Sequence, residues 1–269
     1  MTSLDSRSRG FFRLLASARL AMVWMLACPL LAAAADRYDG LAYAPRSGAL
    51  VYRETHWRYV DKGVATRLVV YRCPGGEAFA RKQVFDRRNS ATPDFELFDA
   101  RDGYREGVRT VAGAREVFWQ ANRNSAARQR KIQVADDAVI DAGFDSLVRA
   151  RWAALMAGKT VSAEFLLPSR QDFLDVNIRQ QAADAEPGTA HLSMRLDAWY
   201  GFVAPNTELV YRLRDRWLLR FEGVGSIRNA NGRHQTVRIE FPDKLRVAAV
   251  DQTEIDAAIK TPLTGRCAG

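Results

Sequence analysis

Residues 209–241 read LVYRLRDRWLLRFEGVGSIRNANGRHQTVRIEF, and this stretch decides the fold. Leu209, Tyr211 and Leu213 alternate with Val210, Arg212 and Arg214. Trp217, Leu219 and Phe221 alternate with Leu218, Arg220 and Glu222, and Val237, Ile239 and Phe241 alternate with Arg238 and Glu240. Successive side chains of a strand point to opposite faces, so a period of two marks strands with one face on a core. Asn229-Ala230-Asn231-Gly232 provides the turn between the last two strands. The same alternation recurs at Leu192, Met194 and Leu196 against Ser193, Arg195 and Asp197.

Outward from this core the pattern continues. Leu50–Tyr59 and Ala65–Cys73 form a hairpin around Asp61-Lys62-Gly63, and Glu77–Asp86 follows Pro74-Gly75-Gly76. Phe95–Asp99, Tyr104–Val111, Glu116–Ala121, Thr160–Leu167 and Phe173–Gln180 read as further strands, with Asn122–Arg130 and Ala182–Gly188 as exposed loops. About a dozen short strands at such spacings indicate an antiparallel sheet, not βαβ units. One segment keeps helical offsets instead: Phe144, Leu147, Val148, Trp152, Leu155 and Met156, stopped by Gly158, with Asp141 or Asp145 available to the first turn. A short helix is also expected over Gln252–Lys260. The expected fold is mainly β: a curved antiparallel sheet or open barrel whose concave side holds one central amphipathic helix.

The terminal pattern Trp217–Glu222, turn Asn229–Gly232 and Val237–Phe241 resembles the last hairpin of periplasmic half-barrel proteins, among them the outer-membrane lipoprotein carriers and several uncharacterised periplasmic families. The resemblance covers about the last third of the chain and is one of alternation and turns. It implies a curved sheet wrapped round helices, with a lipid-sized cavity, and it assigns no individual residue a role.

The first residues give an address. Arg7, Arg9, Arg13 and Arg19 precede an apolar run from Leu20 to Leu31, which closes on Ala32-Ala33-Ala34-Ala35. A basic start, a short apolar centre and a small-residue exit read as a secretory signal peptide over 1–35, cut after Ala35, with a single β-rich periplasmic domain over 36–269. A retained anchor needs about 20 apolar residues, more than this run supplies. A lipoprotein tethered at Cys28 is the other alternative, against which Met25 stands where such signals prefer Leu. The leader holds four Arg and one Asp, so its removal takes the +9 of the whole chain to +6. The basic residues are spread singly along strands with no block or basic helix, which speaks against nucleic acid as a partner. Cys73 and Cys267 remain, an even pair expected to bridge in an oxidising compartment.

Catalytic constellations are missing. The three histidines, His56, His191 and His234, are scattered, with no His-x-His or His-Glu-x-x-His spacing, and no metal or cofactor is expected. Gly223-Val224-Gly225-Ser226-Ile227 lacks the final glycine of a nucleophile elbow. Asp94, Glu96, Asp99 and Asp102 cluster, and the bland reading is the wet face of an edge strand; an enzyme built on them is the minor alternative. The reading therefore leans to a non-enzymatic binding or carrier protein for an apolar or lipid-like ligand. Trp152, Leu155, Met156, Tyr211, Trp217 and Leu219 are its expected wall, and Trp199–Val203 its expected lining or rim. The alternative is a structural or assembly protein of the cell envelope with a filled core, acting on envelope protein partners.

Overall fold

The computed structural model describes residues 35–87, 89–181, 186–196 and 206–267, so all but the last residue of the expected leader lies outside the described residues. Sixteen strands are described. The first meander is β1 (Asp36–Tyr43), β2 (Leu50–Asp61), β3 (Val64–Arg72), β4 (Ala78–Asp86), β5 (Asp94–Asp99), β6 (Tyr104–Val111), β7 (Ala114–Gln120) and β8 (Arg128–Ile132). After β9 (Ala138–Val139) come α1 (Gly143–Ala150) and α2 (Trp152–Met156). The second meander is β10 (Val161–Leu167), β11 (Asp172–Gln180), β12 (Thr189–Leu196), β13 (Thr207–Arg212), β14 (Leu218–Arg228) and β15 (His234–Glu240). The short β16 (Arg246–Val247) and α3 (Gln252–Lys260) end the chain.

All strands belong to one unclosed sheet, antiparallel except for the β9–β10 pair. β1 is the seam: it pairs β2 on one side and β15 on the other, so the two meanders run away from it in opposite directions. Pro242, with no amide N–H to give the ladder, ends β15, and the chain regains β1 only through β16 at Arg37↔Val247 and Tyr38↔Arg246. The free ends of the sheet approach each other through side chains. Arg128 and Arg130 of β8 donate to the carbonyls of Ser169 and Gln171 beyond β10, at 2.5 and 3.4 Å. Beneath them Val84, Phe95, Val108 and Val117 pack against Ile140 and Leu166.

The mainly β class, the curved sheet and the helix follow the sequence pattern; several details do not. There are sixteen strands instead of about a dozen: β1, β8 and the two-residue β9 and β16 are additional, and β1 escapes because it hides its period. Its inward positions are Tyr38, Gly40 and Ala42, too polar or too small to register as an apolar stripe. Gly40 is required there: a Cβ would stand 2.8 Å from both Glu54 Cγ and Phe241 Cε1. β8 lies where a loop was expected, since its RQRKI is wet on both faces, as suits a charged edge strand. Leu213 falls past the end of β13 and is exposed. Register along β13 jumps from Val210↔Arg220 to Tyr211↔Leu218, so Leu219 is the extra residue of a β-bulge, and Leu218 joins Leu219 and Phe221 against the inner core.

The helical segment is continuous through Arg151, whose N–H donates to the Leu147 carbonyl at 2.9 Å, and ends at Gly158 with φ +75°. Neither Asp141 nor Asp145 caps it; Ala142 holds the N-cap position. Val148, Trp152 and Leu155 press onto Ile178, Leu192, Leu209 and Tyr211 of β11–β13. On the opposite side of the sheet α3 covers β2 and β3, where Ile255 and Ala258 meet Trp57, Leu68 and Val70. Strand β3 is thus buried on both faces. The Cys73–Cys267 disulfide, with Cα atoms 5.5 Å apart, fastens the tail that follows α3 to the end of β3.

Candidate functional site

A cavity of about 330 Å³ lies between α1 and the inner face of the sheet, at the lower end of the range for small-molecule sites. One wall is apolar. Phe144 of α1, Leu166 of β10, Val176 of β11, Met194 of β12, and Leu218 and Phe221 of β14 line it, with the Phe144 and Phe221 rings 6.0 Å apart. The other wall, built by β1–β6, is charged. Strand register explains its layout. Tyr38, His56, Val69, Lys82, Leu97 and Glu106 stand opposite one another in a single row across six strands, Arg58↔Arg67 form the next row, and Gly40↔Glu54↔Tyr71 flank the first on its other side.

Charged groups at such positions need partners, because an unpaired buried charge is expensive. His56 Nε2 is 2.9 Å from Glu54 Oε1, and the Tyr38 ring stacks on the imidazole at 4.4 Å and 8°. Burial pulls the His56 pKa down in spite of Glu54, which keeps the ring neutral at neutral pH. Its Nε2–H then donates to Glu54, and Nδ1 is left as a buried acceptor without a partner. Lys82 Nζ donates to Asp141 Oδ1 at 2.9 Å and to Ser226 Oγ at 3.3 Å, joining the sheet to the turn that leads into α1. Burial alone would raise the Asp141 carboxyl; the attraction and hydrogen bond of Lys82 outweigh it, and the net shift is downward. Its second oxygen is a buried atom without a hydrogen bond. Asp141 holds φ +49°, a conformation Asp tolerates better than most residues. Tyr104 Oη donates to Glu106 Oε2 at 2.7 Å, and burial pushes the Glu106 carboxyl up to about 7.

Arg67 stands apart. It lines the cavity, forms no ion pair among the described residues, and its Nε is a buried donor without a partner. Its cross-strand neighbour Arg58 is held by Asp36, with Nε 2.9 Å from Oδ1. Arg149, on α1, also faces the cavity and is held by Asp145 at 3.0 Å; Asp145 in turn accepts from Tyr211 Oη at 3.0 Å.

Of the residues expected to form the wall, Trp217 lines the cavity, its ring edge-on to Tyr38 at 5.0 Å and under Arg246 at 3.9 Å. Trp152, Leu155 and Tyr211 lie instead in the packed cluster, the two rings 5.7 Å apart, and Met156 sits at that cluster's margin. The helix turns its most apolar stripe onto β11–β13, so Phe144, Asp145 and Arg149 are what it presents to the cavity. Leu219 is at the bulge. Trp199–Val203 lie outside the described residues. The carboxylates of β5 do not form a site. Asp94, Glu96, Asp99 and Asp102 each have their own arginine (Arg115, Arg105, Arg101 and Arg228), and β5 is an interior strand between β4 and β6, not an edge. Among the described residues no group of three His, Cys, Asp or Glu could hold a metal ion, and no helix is long and apolar enough to cross a membrane.

Alternation singled out none of Glu54, His56, Arg67, Lys82 and Glu106 as cavity residues. The available signal was a conflict of parity: β2–β4 carry apolar residues on both faces, so the charges interleaved with them cannot all be turned to solvent.

No family model and no curated protein matches the chain. Among solved structures the chain is similar to the crystal structure of a β-barrel-like protein of the domain of unknown function DUF1849 from Brucella abortus. The TM-score is 0.42 at 8% identity, over 78% of this chain and 98% of that one. What holds of the resemblance read in the sequence is its coarser part, one large, mostly antiparallel sheet with few helices.

Proposed function

We propose that the protein is an exported, periplasmic binding or carrier protein whose ligand is lipid-like, held between α1 and the inner face of the sheet. The observation that carries the reading is the cavity: about 330 Å³ bounded by Phe144, Met194, Leu218 and Phe221 on one side. A core packed to ordinary density leaves no such volume. Export rests on the leader pattern of residues 1–35, and the Cys73–Cys267 bridge suits an oxidising compartment.

The test uses a neutral apolar fluorophore, N-phenyl-1-naphthylamine, titrated into the purified chain. Saturable binding near one per chain is expected. Val224 lines the cavity and is otherwise exposed, so Val224→Trp should occupy the space without overfilling a packed cluster and should abolish the signal. Equal fluorescence from wild type and variant, or no saturable binding by either, would sink the reading.

A further inference from the structure

The charged wall of the cavity has a use that an apolar ligand alone does not explain. Arg58 and Arg67 are direct cross-strand partners, and both face the cavity. Like charges opposite each other destabilise a sheet unless an anion lies between them. Asp36 sits on Arg58, but no carboxylate reaches Arg67, and its Nε finds no acceptor. The remaining charged groups around it have partners of their own: Lys82 pairs with Asp141 and Arg149 with Asp145, and Glu54 accepts from the neutral His56. One guanidinium is therefore left over, aimed into a cavity whose far wall is apolar.

We infer that the cavity selects an anionic amphiphile, its carboxylate or phosphate head received by Arg67 beside Arg58 and its hydrocarbon chain laid against Phe144, Met194, Leu218 and Phe221. This inference rests on the binding reading above and names its ligand class. A guanidinium is always charged and presents a planar fork of N–H donors that fits two oxygens at once, which suits either head group. The Tyr38 hydroxyl acts on Arg67 from the neighbouring rung, and the Tyr38 ring is held flat against His56, so the fork is approached by an ordered surface.

The experiment compares dodecanoate, dodecyl phosphate and dodecanol by displacement of N-phenyl-1-naphthylamine, in wild type, Arg67→Gln and Arg67→Lys. Both anions are expected to bind at least tenfold more tightly than the alcohol. Arg67→Gln should bring them down to the alcohol's affinity, and Arg67→Lys should restore part of the difference. A preference between carboxylate and phosphate identifies the head group. Inorganic phosphate and acetate should not displace the fluorophore; displacement by them would overturn the amphiphile in favour of a free anion. Equal binding of acid and alcohol by the wild type overturns the head-group inference and leaves the carrier reading standing. That comparison does not depend on how either variant folds. Failure of all three amphiphiles to displace the fluorophore overturns both.

Discussion

Replacing Glu106 with Gln should flatten the dependence of stability on pH. Glu106 is 7% exposed on the cavity's inner wall, and burial pushes its carboxyl from 4.5 up to about 7, against the hydrogen bond from Tyr104 and the attraction of Lys82 and Arg228. Between these two values the folded state still holds a proton that the unfolded chain has released. Stability is then at its fullest below the unfolded value and is lost as the pH rises through the folded one. Each pH step of one between the two values removes about 1.4 kcal/mol, so the whole loss is on the order of 3 kcal/mol. Gln keeps the shape and still accepts from Tyr104, but it has no proton to lose. Denaturant unfolding of both proteins from about pH 4 to about pH 8 gives two stability curves. Groups such as His56 titrate in both and drop out of the difference. The wild-type stability minus that of the variant should fall by roughly 3 kcal/mol across this span, most of it between pH 4.5 and 7. Two parallel curves would refute the claim that burial raises the Glu106 carboxyl in the folded state.

Other expectations follow from the same geometry. Asp141→Ala strips Lys82 of its carboxylate and should cost about 3–5 kcal/mol, while the double change Lys82→Met with Asp141→Leu should cost clearly less; equal losses would contradict a buried pair. Trp152→Ala removes a ring packed edge-on to Tyr211 and should lower stability by about 3–5 kcal/mol, read by urea unfolding. A loss below about 1 kcal/mol would mean that the helix does not fill the hollow of β11–β13. Cys267→Ser opens a loop spanning 194 residues and should lower the unfolding free energy by up to about 5 kcal/mol in the chain-entropy picture. An unchanged midpoint would show that the tail after α3 contributes nothing through this link.

How far the sequence could be read follows the physics of each element. Strands with one wet face announce themselves by alternation, which is why β2–β7 and β10–β15 lie close to where the pattern places them. Residues 252–260 form the expected C-terminal helix, and the central helix begins one residue before Phe144. The elements that escape have no contrast between faces: β8, exposed except for its last residue Ile132, and β1, whose inward Gly40 makes room for Glu54 and Phe241. A bulge defeats strict alternation, and at Leu219 it brings Leu218, expected on the wet face, onto the inner core as well. The site was hidden for a different reason. Apolar residues at helical spacing identify what packs, and Trp152, Leu155 and Tyr211 do pack together. What lines a cavity is decided by the rows that register creates across β1–β6. His56, Lys82 and Glu106 are separated by tens of residues in the chain and come into one row only when the strands are paired.

The central claim is that the interior holds a ligand, and native mass spectrometry of the purified full chain tests it most directly. The account predicts a second native series heavier by the mass of one lipid, absent from the denatured spectrum and absent from Val224→Trp. A wild-type native mass equal to its denatured mass, with no lipid recovered on extraction, would contradict it.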